Sequence, residues 1–202
     1  MTPAQHESRT KLLDAALNVF RAKGYTATRV EDICAAAGLT KGSFFHHFKT
    51  KDELAIAAAG RWTEVTGALF RDADYHKPAD PVDRVLGYIE FRKQLLRGAL
   101  AEYTCLLGTL IQEVYDTNPP IRQACQASIS YHVATLVEDI EAAKAAHAPG
   151  ATWSAESLAL HTQAVLQGSF IIAKAHYDVD PAAASVDHLK RYVAGLFGRT
   201  IQ

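Results

Sequence analysis

Residues 28–54 read TRVEDICAAAGLTKGSFFHHFKTKDEL, and the caps and breaks in this stretch decide the fold. Thr28 followed by Glu31 has the spacing of a capping box, which predicts a helix opening just after Thr28. Val30, Ile33, Cys34 and Ala37 then share one face at helical spacing. Gly38 can take the left-handed conformation that ends a helix, and Thr40 is placed to cap the next one. That second helix carries Phe44, Phe45 and Phe48 as packing candidates, and Thr50 with Glu53 forms another capping box that opens a third helix at Lys51. Between Lys41 and Lys51 stand Lys41, His46, His47, Lys49 and Lys51 and no acidic residue. A short basic helix presented by a helix–turn–helix is built to enter a DNA major groove.

Outward from this stretch the same helical logic repeats. Leu12, Leu13, Ala16, Leu17 and Phe20 mark a preceding helix ended by Gly24, and the helix from Lys51 should run to Arg71. Asp80-Pro81, Asn118-Pro119, Ser154 and Asp180-Pro181 are further helix openings. A continuous helix is expected over 99–115. Strand signals are nearly absent, so the chain reads as all-α with about nine helices. Residues 1–52 form a three-helix helix–turn–helix domain and 53–202 a second helical domain on this reading.

The chain has 202 residues, 49% hydrophobic and 21% charged, an ordinary balance for a packed protein. Its net charge of −1 conceals an asymmetry: eight Lys and Arg against six Asp and Glu up to residue 55, thirteen against sixteen beyond. Affinity for nucleic acid must therefore come from a local patch. No stretch is apolar enough to span a bilayer, the first twenty residues lack the apolar core of a signal peptide, and three unpaired cysteines suit a reducing compartment. A cytoplasmic location is expected.

The run Gly24-Tyr25, Thr28, Asp32-Ile33, Ala37-Gly38-Leu39, Lys41-Gly42-Ser43-Phe44-Phe45-His46-His47-Phe48 and Lys51-Asp52-Glu53-Leu54 resembles the DNA-binding domain of the TetR/AcrR family of transcriptional regulators over residues 8–56. The resemblance implies that Thr28, Thr40, Lys41, Phe45, His47 and Lys51 lie near DNA. Small Gly42 and Ser43 allow close approach, and His46 adds to the basic face. The family usually carries tyrosine where this chain has Phe45, so a phosphate-binding hydroxyl is replaced by a ring suited to apolar contact.

One short helix in one groove binds weakly, so a two-fold dimer on a palindromic operator in double-stranded DNA is expected. The helix from Ser154 is apolar on more than one face, and the resemblance implies that it pairs with the last helix in the homodimer. Leu166, Phe170, Leu189, Val193 and Leu196 are the candidate interface.

On the helix expected over 99–115, Ala101, Cys105, Gly108, Thr109 and Gln112 make a small, mildly polar second face, as around a cavity for a small molecule. The resemblance implies an effector site between the central helices. Candidates are Phe91, Tyr103, Cys105, Thr109, Gln112, Tyr131, His132 and His161, together with Gln163 and His176. Cys105 is either a thiol that reacts with an electrophile or oxidant, or an inert small core residue. No catalytic constellation, metal set or cofactor motif is present. The leading expectation is a repressor released from DNA by a small-molecule effector. A constitutive regulator or activator without a ligand, and an enzyme housed in the larger helical domain, are the alternatives.

Overall fold

A computed structural model of the chain describes residues 3–201. The described residues form ten α-helices and one short 3-10 turn, with no strand among them. They pack as two compact units that draw on separated stretches of chain. The first runs up to Ala68 and adds Thr104–Ile129; the second takes Leu69–Tyr103 and everything from Ser130.

The first unit holds α1 (Pro3–Lys23), α2 (Val30–Ala37), α3 (Lys41–His47), most of α4 (Lys51–Arg71), α7 (Leu106–Val114) and the start of α8 (Pro119–His147). Its core is built from Leu12, Ala16, Phe20, Ile33, Phe44, Leu54, Leu106, Leu110 and Ile121, all fully buried. Each such Leu, Ile or Phe removed from water contributes about 1.5–3 kcal/mol, enough to fix short helices that would not persist alone.

The punctuation of the unit follows the sequence closely. Gly24 and Gly38 take positive φ of 82° and 65°. The Thr40 hydroxyl accepts the Ser43 N–H at 3.2 Å, and the Thr50 hydroxyl accepts that of Glu53 at 3.1 Å. The expected Thr28 cap is corrected: α2 starts at Val30 with Arg29 as its cap residue, and the Asp32 carboxylate accepts the Arg29 N–H at 2.9 Å. Thr28 is buried and its hydroxyl donates to the Gly24 carbonyl instead, which leaves it no part in capping.

The second unit contains α5 (Pro81–Gln94), α6 (Leu100–Tyr103), the rest of α8, α9 (Ala155–His176) and α10 (Asp180–Leu196). Asp80 caps α5 by accepting the Val82 N–H at 2.8 Å, and Val82, Val85, Tyr88 and Ile89 are buried along its inner face. α10 packs on both α9 and α5. Two ion pairs, Lys93–Asp187 and Lys190–Glu90, lock the α5 contact.

The helix expected over 99–115 is broken. α6 stops at Tyr103, Thr104 is buried, and Cys105 turns into extended backbone (φ −80°, ψ 126°) as the residue before α7. The break puts Tyr103 in the second unit and Cys105 in the first.

Candidate functional site

α3 packs against α1 and α2 within the first unit. Phe44 is buried beneath it, and the Phe44 ring meets Phe45 edge-on at 5.2 Å and Phe48 at 5.9 Å. On its flank, Ser8 Oγ lies 2.7 Å from His47 Nε2, and Gln5 Nε2 lies 3.0 Å from His46 Nε2, tying α3 to α1. Lys51, at the head of α4, donates from Nζ to the Tyr25 and Thr28 carbonyls at 2.8 and 2.9 Å and sits 4.2 Å above the Tyr25 ring. The α1–α2 loop is further fixed by Glu113 of α7, whose carboxylate accepts the Tyr25 and Thr26 N–H groups at 2.9 and 2.7 Å.

This framework sorts the residues expected near DNA. Thr40, Lys41, Gly42, Phe45 and His46 are exposed, with Phe45 at 57%. Ser43 and His47 are half-buried. Lys41 forms an ion pair with Glu31 of α2, a carboxylate that the run of basic residues in α3 did not reveal. Burial, then the neighbouring His46 and Arg9, push the His47 imidazole below its ordinary pKa, which favours its neutral form. Thr28 and Lys51 are supports of the turn: one is buried, the other is spent on two carbonyls. What remains is a short helix with Phe45 projecting, small Gly42 beside its start, and cations around it, a surface suited to a DNA groove.

The residues expected around an effector are divided between the two units. Cys105, Thr109 and Gln112 lie in the first unit, where the Thr109 hydroxyl donates to the Cys105 carbonyl and the Gln112 amide to that of Gly108. In the second unit Tyr103 is half-buried, and Tyr131 and His161 are exposed, the latter edge-on to Tyr192 at 5.3 Å. Phe91 and His132 both meet the Phe70 ring, within an aromatic group that includes Tyr75 and Tyr88. At its centre Tyr88, completely buried, takes a hydrogen bond from the Gln163 amide at 2.8 Å and lies 2.8 Å from His132 Nε2. With its oxygen already accepting, the Tyr88 O–H points to His132 Nε2. Burial, aided by the charge of Arg92, drives the His132 pKa down to about 3, so the imidazole is neutral. Tyr88 and Arg92 escaped the sequence reading because an apolar stripe labels a residue as core without saying which polar atoms meet inside it. Their spacing of four residues along α5 is the one signal present.

The candidate dimer residues also need reassignment. Leu166, Phe170, Leu189 and Val193 are buried within their own chain and Leu196 is half-buried, because α9 and α10 spend these positions on each other and on α5. The outer faces carry Leu160, Ala164, Ile171 and Ile172 on α9 and Tyr192 on α10, all exposed. Gly168 lies between them, with open space where a Cβ would stand. Among the described residues, no helix is long and apolar enough to cross a membrane, and no group of three or more His, Cys, Asp or Glu side chains could hold a metal.

Comparison with known proteins agrees with this geometry. Residues 12–58 match the family described as bacterial regulatory proteins, tetR family, and residues 81–189 match the tetracyclin repressor-like C-terminal domain. Among curated relatives, the HTH-type transcriptional regulator LmrA of Bacillus subtilis is 30% identical over 127 residues, 59% of this chain and 63% of its own. The HTH-type transcriptional regulator CymR of Pseudomonas putida is 49% identical over 51 residues, a quarter of each chain. The match therefore spans a quarter to just under two thirds of these relatives' lengths. A TetR transcriptional regulator from Chloroflexus aurantiacus has a similar fold, with a TM-score of 0.83 at 25% identity over 96% of this chain and 97% of that one. The second family model alone covers more than half of the sequence, and the chain belongs to the TetR family of transcriptional regulators.

Proposed function

We propose that this protein is a homodimeric transcriptional repressor that binds a palindromic operator and leaves it when a small-molecule effector binds. The observation that carries the reading is α3: a capped helix, pinned by Phe44 beneath and by α1 at its flank, with Phe45 projecting. Residues 1–52 would recognise DNA, and 53–202 would supply dimerisation and the response to the effector. Thr40, Lys41, Gly42, Ser43, Phe45, His46 and His47 are the contacts proposed, with Thr28 and Lys51 supporting them. The exposed faces of α9 and α10 would meet their counterparts across a two-fold axis. The effector acts by preferring the dimer state whose two α3 helices are wrongly spaced for successive major grooves. A cytoplasmic location fits this role.

The test is fluorescence anisotropy with palindromes from DNA beside the gene, run over a salt series. A specific palindrome should bind with a salt-dependent affinity that falls as log salt rises. Equal affinity for palindrome and scrambled duplex would overturn the reading. Cys105 is the one cysteine that is not buried. If an electrophile acts there, treatment with N-ethylmaleimide should abolish operator binding by the wild type and spare Cys105→Ser; equal loss in both removes that route.

A further inference from the structure

We propose that Arg92, with Tyr88 and His132 beside it, recognises an organic carboxylate carrying an apolar body, and that this is the chemical class of the effector; the last step rests on the effector reading above. α5 carries three cations. Arg84 reaches Asp139 at 2.6 Å, and Lys93 reaches both oxygens of Asp187 at 2.7 and 2.8 Å. Arg92 forms no ion pair with any carboxylate among the described residues. Its polar neighbours are the Tyr88 hydroxyl and His132 Nε2, each at 3.4 Å. The rings of Phe70, Phe170 and Tyr88 lie 5.3, 5.9 and 6.0 Å from its guanidinium carbon.

None of these neighbours brings a negative charge. The Gln163 amide donates to Tyr88, Tyr88 donates to His132, and the imidazole at the end of that chain is uncharged. Two contacts at the long end of the hydrogen-bond range leave most of the five-donor guanidinium fork to be satisfied. Aromatic faces hold the cation by their quadrupoles without neutralising it. A carboxylate is the planar, two-oxygen complement of such a fork. The surrounding Phe70, Tyr75, Phe91 and Phe170 rings favour an apolar body behind it. An inorganic anion would match the charge and waste the rings. A neutral hydrocarbon would match the rings and leave the charge as it stands.

The experiment uses the full-length protein and calorimetric titration with benzoate, 3-phenylpropanoate and decanoate, each beside its primary amide. At least one acid should bind ten or more times as tightly as its amide. Arg92→Gln should lower the affinity of that acid to the amide's level while the unliganded circular dichroism spectrum is unchanged. Arg92→Lys, which keeps the charge and loses the fork, should fall between them and serves if Arg92→Gln does not fold. Equal binding of acid and amide, no binding by any of the three acids, or undiminished binding to Arg92→Gln would each overturn the site. Anisotropy on the operator separates the two ideas. An acid bound through Arg92 that leaves operator affinity unchanged overturns the effector reading and upholds the carboxylate site. Operator release by an amide, indifferent to Arg92→Gln, upholds the effector reading and overturns the site.

Discussion

Replacing Phe45 by alanine removes a ring that is 57% exposed and meets Phe44 edge-on. Thermal stability should barely change, while operator affinity should fall by about tenfold, or about 1.4 kcal/mol, in an anisotropy titration. Phe44→Ala one position earlier should do the opposite first. Its ring is fully buried, and the lost packing costs about 3–5 kcal/mol, so unfolding will precede any measurable loss at the groove. His132 makes a prediction in pH. Its folded pKa, about 3, lies below the ordinary 6.5. The unfolded chain therefore takes up a proton that the folded chain refuses between these values, so stability rises with pH across the window and is lost as pH falls through it. The slope from this group approaches about 1.4 kcal/mol per pH unit at most. His132→Gln keeps an acceptor for Tyr88 and should flatten the melting-temperature profile between pH 6.5 and pH 4, as measured against wild type. His47, also lowered, adds a contribution of the same sign in both proteins.

At the scale of the element, the α1–α2 loop depends on one side chain from α7. Glu113→Ala leaves the Tyr25 and Thr26 amides to water, and their hydrogen exchange should accelerate well before that of α1. Gly24→Ala should be worse, since Gly24 has a positive φ and an added Cβ would fall 2.2 Å from Glu113 Oε1. An unchanged melting temperature in Gly24→Ala would contradict this packing. Elements also show what was legible in the sequence and what was not. Caps are local, so Thr40, Thr50, Asp80 and Ser154 could be read directly, and each accepts its helix's backbone N–H in the structure. The break between Tyr103 and Cys105 has neither proline nor glycine at it, and periodicity runs through it undisturbed. That misreading put Tyr103 and Cys105 on one helix, whereas they stand in different packing units. The α9 stripe failed for a related reason. Hydropathy showed that both faces are apolar, yet it cannot tell the face covered by α10 from the face left open. Around α3, the sequence reading could not foresee Glu31 beside Lys41 or the carbonyls around Lys51.

At the scale of the whole molecule, the exposed faces of α9 and α10 bear on assembly. Ile171→Asp puts a charge on a side chain that is 45% exposed in the single chain, so the isolated chain should keep its fold. Analytical ultracentrifugation should show a shift from dimer to monomer, with operator affinity falling steeply because one α3 helix holds DNA poorly alone. A dimer that survives Ile171→Asp together with Leu160→Asp would place the two-fold contact elsewhere. A different consequence follows from Asp80. Besides capping α5, its carboxylate meets His147 at the end of α8 at 3.0 Å and pairs with Arg199 beyond α10. Three stretches far apart in sequence thus close on one carboxylate, like the ends of a cord under a single knot. That arrangement sets an order of unravelling. With Asp80→Asn the segment after α10 should become the first place a protease finds, and trypsin would nick at Arg199 while the remaining helices still resist.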